Sequence, residues 1–111
     1  MHQYLDINSG GSHDACVENS TSRLLFATSW LNANKFKGIL AEFAYTVDPT
    51  CVREAPLFLD FLSLNSNVWM GWTYWCGGLL FSKNNRFILD PVSFIPPIVD
   101  RPQMAELVAH L

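Results

Sequence analysis

The sequence predicts an α/β fold in which parallel strands alternate with amphipathic helices, and three observations predict it. Apolar residues recur at helical spacing from Ser22 and again from Val52; Gly38-Ile39-Leu40-Ala41-Glu42-Phe43 is an apolar run of strand length; Val68-Trp69-Met70-Gly71-Trp72-Thr73-Tyr74-Trp75 is β-rich and bounded by Asn65-Ser66-Asn67 and Gly77-Gly78. Helix, strand, helix and strand in that order are repeated βα units, which build a parallel sheet. The 111 residues are 50% hydrophobic, enough for one core and too apolar for disorder. A complete (β/α)₈ barrel, by contrast, takes about 250 residues.

The elements follow in order. Gly10 to Ser22 is polar and reads as a long loop. Leu24, Ala27, Trp30 and Leu31 then mark a helix, with Ser20, Thr21 or Ser22 as its N-cap and Asn34 at its end. Gly38 to Phe43 reads as a buried strand whose one charge, Glu42, lies near its carboxyl end. After the turn at Asp48-Pro49-Thr50, the residues Val52, Ala55, Phe58, Leu59 and Leu62 form the stripe of a second helix. A proline inside a helix costs about 3 kcal/mol, so this helix either starts near Ala55 or kinks at Pro56. In the aromatic strand a period of two sets Gly71, Thr73 and Trp75 against Val68, Met70, Trp72 and Tyr74. Trp30, Trp69 and Trp72 are expected in the core. Lys83 to Pro97 reads as an irregular excursion with a short strand at Phe87-Ile88-Leu89. Asp100 is expected to cap a last helix, with Pro102 in its first turn and Met104, Leu107, Val108 and Leu111 as its apolar stripe.

Composition excludes several classes. Seven Lys and Arg against ten Asp and Glu, with no basic run, offer no surface for neutralising phosphates, so nucleic acid is not an expected partner. No apolar stretch reaches the roughly 20 residues of a membrane helix, and the amino terminus shows no secretory signal. The three cysteines have no CxxC spacing, so no structural metal is expected. No phosphate-binding glycine loop, HExxH or Ser-His-Asp order points to a cofactor or to catalysis by those routes. Cys76 is expected to be a buried free thiol, whereas Cys16 and Cys51 lie in polar surroundings where a disulfide can form in an oxidising compartment. Asn19-Ser20-Thr21 is a glycosylation sequon, meaningful only for a secreted chain.

Four residues are candidates for chemistry. A carboxylate at the end of an apolar strand, such as Glu42, has either a partner or a function; the alternative is a solvent-facing residue paired with Lys35 or Lys37. His2 and Tyr4, spaced i, i+2, point to one side of an extended segment and can orient a carboxylate or donate to a sugar hydroxyl, unless the terminal segment is merely structural. Trp75 can form a flat apolar floor for a sugar ring.

Met1-His2-Gln3-Tyr4-Leu5-Asp6, Ile39-Leu40-Ala41-Glu42-Phe43 and Val68 to Gly78 together resemble the carboxyl-terminal third of glycoside hydrolase family 5 endoglucanases of the fungal cellulase type. The resemblance covers residues 1 to about 78, with a fainter echo in Leu89-Asp90-Pro91 and the last helix. It implies a partial (β/α)₈ barrel: residues 1-111 would form one partial catalytic domain from strand six onward, roughly the last three βα units, with 79-100 a divergent loop region. It implies retaining hydrolysis of β-1,4-glucan, in which one carboxylate attacks the anomeric carbon and a second, about 5 Å away, acts as acid and then base. Glu42 matches the nucleophile, His2 and Tyr4 the His-x-Tyr beside it, and Trp75 the tryptophan under the sugar. Cys16 and Cys51 match a disulfide pair, and secretion is implied although this chain shows no signal peptide. The partner expected is β-glucan or a cello-oligosaccharide, with homo-oligomer formation through open sheet edges a further expectation.

The sequence also departs from the family. The family's Asn-Glu pair with the acid/base has no counterpart after Met1, a pattern expected of truncation, so activity is expected to be weak or absent. Ala41 and Ala44 replace the glycines that flank the nucleophile, and Leu79 to Lys83 replaces an aromatic cleft loop. A non-catalytic carbohydrate-binding or interaction protein is the alternative.

Overall fold

The computed structural model describes residues 1–111. It contains helix α1 (Ser22–Ala33), strand β1 (Gly38–Phe43), helix α2 (Pro49–Leu64), strand β2 (Trp69–Tyr74) and helix α3 (Gln103–Ala109). The two strands pair in parallel, as the βα order requires. The amino-terminal segment adds a third row on the other side of β1: Ala41 N–H donates to the Met1 carbonyl at 2.8 Å, and Gln3 N–H to the Glu42 carbonyl at 2.9 Å. His2 thereby becomes the parallel bridge partner of Glu42.

The core lies between the strands and α2. Phe43 is its centre, edge-on to Trp72 at 5.4 Å and Tyr74 at 5.3 Å, and stacked with Phe58 of α2 at 5.8 Å. Leu40, Leu59 and Leu62 join it, with Leu5 from the amino-terminal segment, Leu24 from α1 and Leu107 from α3. Several ties bind the loop before α1 to α2, among them a bond from Cys16 N–H to Thr50 Oγ1 at 2.9 Å. Ser20 donates through its N–H (2.9 Å) and Oγ (3.0 Å) to the Glu54 carboxylate, and Cys16 is disulfide-bonded to Cys51.

Several expectations are corrected. Helix α2 begins at Pro49, not near Ala55, because Asp48 caps it by accepting from Thr50 N–H at 2.8 Å. Pro49 stands at the helix start, where its missing N–H costs nothing, and the helix continues through Pro56 to Leu64. Pro102, not Asp100, is the N-cap residue of α3, so the proline lies just outside the helix. Of the α3 stripe, Leu107 is buried and Met104 packs on the core, while Val108 and Leu111 are exposed. Phe87-Ile88-Leu89 is not a strand; Cys76 N–H donates to the Phe87 carbonyl and Leu89 N–H to the Cys76 carbonyl, but the ladder stops there.

The strict period of two fails in β2. Between the partner pairs Gly38↔Trp69 and Leu40↔Trp72 the register shifts, three residues of β2 spanning two of β1. Gly71, at φ 155°, absorbs the extra residue. Trp69 and Trp72 therefore both pack into the core rather than on opposite faces. Trp30 does not join them: it is 51% exposed beside Phe36, on a face of α1 that continues into an open apolar groove of about 380 Å³ with Phe26, Ile39 and Met1.

Candidate active site

The carboxyl end of β1 and the amino-terminal segment beside it bring together three of the four candidate residues. The Tyr4 hydroxyl donates to Glu42 Oε1 at 2.6 Å, a charge-assisted bond near the short end of the normal range. His2 Nδ1 lies 3.6 Å from Glu42 Oε2, so the two interact as an ion pair only when the imidazole is protonated. The i, i+2 spacing is thus realised, with both side chains on the carboxylate. Lys35 and Lys37 are not its partners; Lys37 Nζ donates instead to the Asn67 carbonyl. The Glu42 side chain is 21% exposed, so it is sheltered but open on one side.

Electrostatics keep the Tyr4 phenol protonated. Burial first, then its bond to Glu42 and the charge of that carboxylate, push the phenol well above its ordinary range. It is a neutral donor at any physiological pH, and it holds one Glu42 oxygen while leaving lone pairs on the other. Such a carboxylate can accept a proton or attack an electrophilic carbon presented on its open side.

Trp75 follows β2 directly. Its N–H donates to the Phe43 carbonyl at 2.9 Å, its ring meets Phe81 edge-on at 4.8 Å, and the Trp75–Cys76 peptide bond is cis. It remains 37% exposed, and with Tyr4 it lines an open cavity of about 370 Å³. The cavity also takes Gly11 from the amino-terminal loop and Asn84, Asn85 and Arg86 from the excursion. Sequence reasoning missed these residues, because only tertiary folding carries the excursion across to the Tyr4 side. Arg86 makes that crossing, bonding the Ser12 carbonyl at 3.0 Å and the Asp14 carboxylate at 3.0 Å. The polar pair Asn84-Asn85 was the one local hint.

Cys76, next to Trp75, is a buried free thiol; burial, then the charges of Asp90 and Glu42, raise its pKa and keep it protonated. No three His, Cys, Asp or Glu side chains converge in a metal-binding group. Asn19 is exposed at φ 58°, its Oδ1 accepting from Thr21 Oγ1 at 3.2 Å. No helix is long and apolar enough to cross a membrane.

Comparison with known proteins places this geometry. No protein-family model matches the chain. Endoglucanase gh5-1 of Neurospora crassa is 42% identical over 80 residues, 70% of this chain and 20% of that protein. Endo-beta-1,4-glucanase A of Emericella nidulans is 36% identical over 97 residues, 86% of this chain and 29% of that protein. Among solved structures, an endo-beta-1,4-glucanase of Xanthomonas axonopodis pv. citri matches 98% of this chain and 34% of its own, at 37% identity and a TM-score of 0.90. XacCel5A, solved in complex with cellopentaose, matches 99% of this chain and 35% of its own at 36% identity, again with a TM-score of 0.90. The α/β arrangement seen here is thus shared with part of the (β/α)₈ barrel of those enzymes. By sequence and by fold the chain belongs with glycoside hydrolase family 5, whose members just compared are named as endo-β-1,4-glucanases, and it spans between 20% and 35% of the length of those relatives.

Proposed function

We propose that the chain serves the retaining hydrolysis of β-1,4-glucan, with Glu42 as the nucleophile, Tyr4 as the neutral donor that orients it, His2 beside it and Trp75 as the floor under the sugar. The observation that carries this reading is the 2.6 Å bond from Tyr4 to Glu42 at a strand's carboxyl end, where parallel α/β folds collect their chemistry. The cellopentaose bound by XacCel5A supports a cello-oligosaccharide as the ligand.

Retaining hydrolysis needs a second carboxyl group about 5 Å from the first. Most of the other carboxylates here are engaged elsewhere: Asp6 with its own loop, Asp48 at the α2 cap, Glu54 with Ser20, and Asp60 and Glu106 with His110. Without such a partner for Glu42 the residues 1–111 taken alone would be weak or inactive, since losing general acid catalysis costs about 10²- to 10⁴-fold. A second reading, a non-catalytic glucan binder, is favoured by the exposed Trp75 beside a polar-edged cavity. Secretion is supported by the Cys16–Cys51 disulfide, with exposed Asn19 as its glycan acceptor, and pairing of copies through open sheet edges is the oligomeric form we propose.

The test is release of reducing sugar from soluble β-glucan alongside binding to insoluble cellulose. Hydrolysis that Glu42→Gln abolishes supports the nucleophile. Binding that survives Glu42→Gln but not Trp75→Ala supports the binder, and absence of both removes the sugar reading altogether.

A further inference from the structure

The short Tyr4–Glu42 bond raises the question of what holds Tyr4 in place. Main-chain pairing with β1 ends at Gln3, one residue before it. Beyond Gln3, the carbonyls of Tyr4, Asp6 and Ile7 converge on one side chain, while the Tyr4 carbonyl also accepts from Gln3 Nε2 at 2.7 Å and the Leu5 carbonyl accepts from Val17 N–H at 2.9 Å. Arg23 Nη1 donates to the Tyr4 carbonyl at 3.0 Å and to the Asp6 carbonyl, and Nη2 to the Ile7 carbonyl at 2.9 Å. Arg23 forms no ion pair, so its charge is given wholly to these three neutral acceptors. The guanidinium presents its donors in a rigid planar fork, pre-organised for acceptors at fixed positions, whereas an ammonium is a compact charge on a flexible stem. Its base is firm as well. Arg23 stands in the first turn of α1, and Ser20, just upstream, is fully buried and doubly bonded to Glu54.

The ring of Tyr4 is held from its other side. A Cβ added at Gly11 would lie 2.8 Å from both Cδ1 and Cε1 of Tyr4, so the glycine backbone is in direct contact with the ring. Gly11 adopts φ 72°, which glycine accepts without strain. Its N–H (3.1 Å), with those of Ser12 (2.9 Å) and His13 (3.1 Å), donates to the buried Asp6 carboxylate, which gathers the loop. The ring of Phe87 closes a third side at 5.4 Å between centroids.

We infer that Arg23 is a positioning residue for the site: it fixes the backbone of Tyr4 so that the phenol, backed by Gly11, meets Glu42 at bonding distance. The inference rests on the reading of Glu42 as nucleophile, and Arg23 itself touches neither Glu42 nor the cavity. A shift of the Tyr4 backbone by about 1 Å carries a 2.6 Å hydrogen bond out of its normal range, which is the scale at which positioning decides rate.

The test reads the bond and needs no activity. In proton NMR of the chain, the Tyr4 hydroxyl should give a downfield, slowly exchanging resonance, assigned by its absence in Tyr4→Phe. Arg23→Gln and Arg23→Lys should both speed its exchange with water by about tenfold or more, as expected for loss of a charge-assisted bond. Thermal unfolding of the same samples measures any general destabilisation. Gly11→Ala should disturb the same resonance without touching the guanidinium, which keeps the test open if an Arg23 variant fails to fold. An unshifted, slowly exchanging resonance in the folded variants overturns the inference even if stability falls, for then Arg23 is merely structural. Absence of the resonance in the parent chain overturns it too. Absence of both glucan hydrolysis and cellulose binding, with the resonance behaving as expected, sinks the sugar reading and leaves the positioning intact.

Discussion

The β1–α2–β2 wall and the excursion from Leu79 to Val99 contain similar kinds of side chains and treat them in opposite ways. Leu40, Phe43, Phe58 and Leu59 are all 0% exposed, whereas Leu79 and Leu80 are 99% and 97% exposed and Ile95 is 78%. The difference is periodicity. In the wall, apolar residues recur at the spacing of a strand or a helix and so present one continuous face. In the excursion they are broken up by Asn84-Asn85, Pro91 and Pro96-Pro97, so no element forms to align them; Phe87 and Ile88 are buried and Leu89 packs against the core, while most of the others stay exposed. Hydrophobicity alone does not bury a residue; it needs a neighbouring element to complete the face.

Four measurements test that contrast. The largest effect is expected for Phe43→Ala in the wall, which should lose about 3–5 kcal/mol in urea unfolding because four aromatic neighbours close over the site and cannot collapse into it. Replacing both Cys16 and Cys51 by Ser should cost about 2–4 kcal/mol, since their bridge closes a loop with a sequence separation of 35. A loss below about 1 kcal/mol would mean that the Ser20–Glu54 tie already holds the loop to α2.

A smaller effect should appear at the α2–α3 contact, where His110 Nε2 meets Asp60 Oδ1 at 3.1 Å and Nδ1 meets the Glu106 carbonyl at 2.9 Å. That carbonyl, with the carboxylates of Asp60 and Glu106, raises the pKa above its ordinary 6.5 against the opposing pull of burial. A raised folded-state pKa stabilises fully below pH 6.5, and the stabilisation is lost as pH rises through the folded value. The Tm should therefore fall between pH 6 and 8 by more in the parent chain than in His110→Gln; equal slopes would show that the latch contributes nothing. Smallest of all, Leu79→Ser with Leu80→Ser should stay within about 0.5 kcal/mol of the parent, and a larger loss would mean the excursion is packed in solution.

Much of this was legible beforehand, for identifiable reasons. Helical spacing located α1 and α2, the apolar run Gly38–Phe43 located β1, and the i, i+2 spacing of His2 and Tyr4 put both on one side, where Glu42 meets them. The α2 start stayed open between Ala55 and a helix running through Pro56, and the Asp48-Pro49 cap decides for the earlier start. The alternation of β2 was misread because a register shift depends on its partner strand, and Gly71 shows it only once the strands are paired. Arg23 was invisible because it binds carbonyls 16 to 19 positions away, and a backbone carbonyl carries no sequence signature.

The sequence by itself determined the element order and the parallel pairing, because periodicity and local turn chemistry are properties of neighbours along the chain. Tertiary structure alone decided that Tyr4 lies 2.6 Å from Glu42, that Arg86 carries the excursion to the far side of the cavity, and that Trp30 stays exposed while Trp69 and Trp72 do not. Those are contacts between residues far apart in the chain. They exist only where packing of the whole molecule has fixed which faces meet.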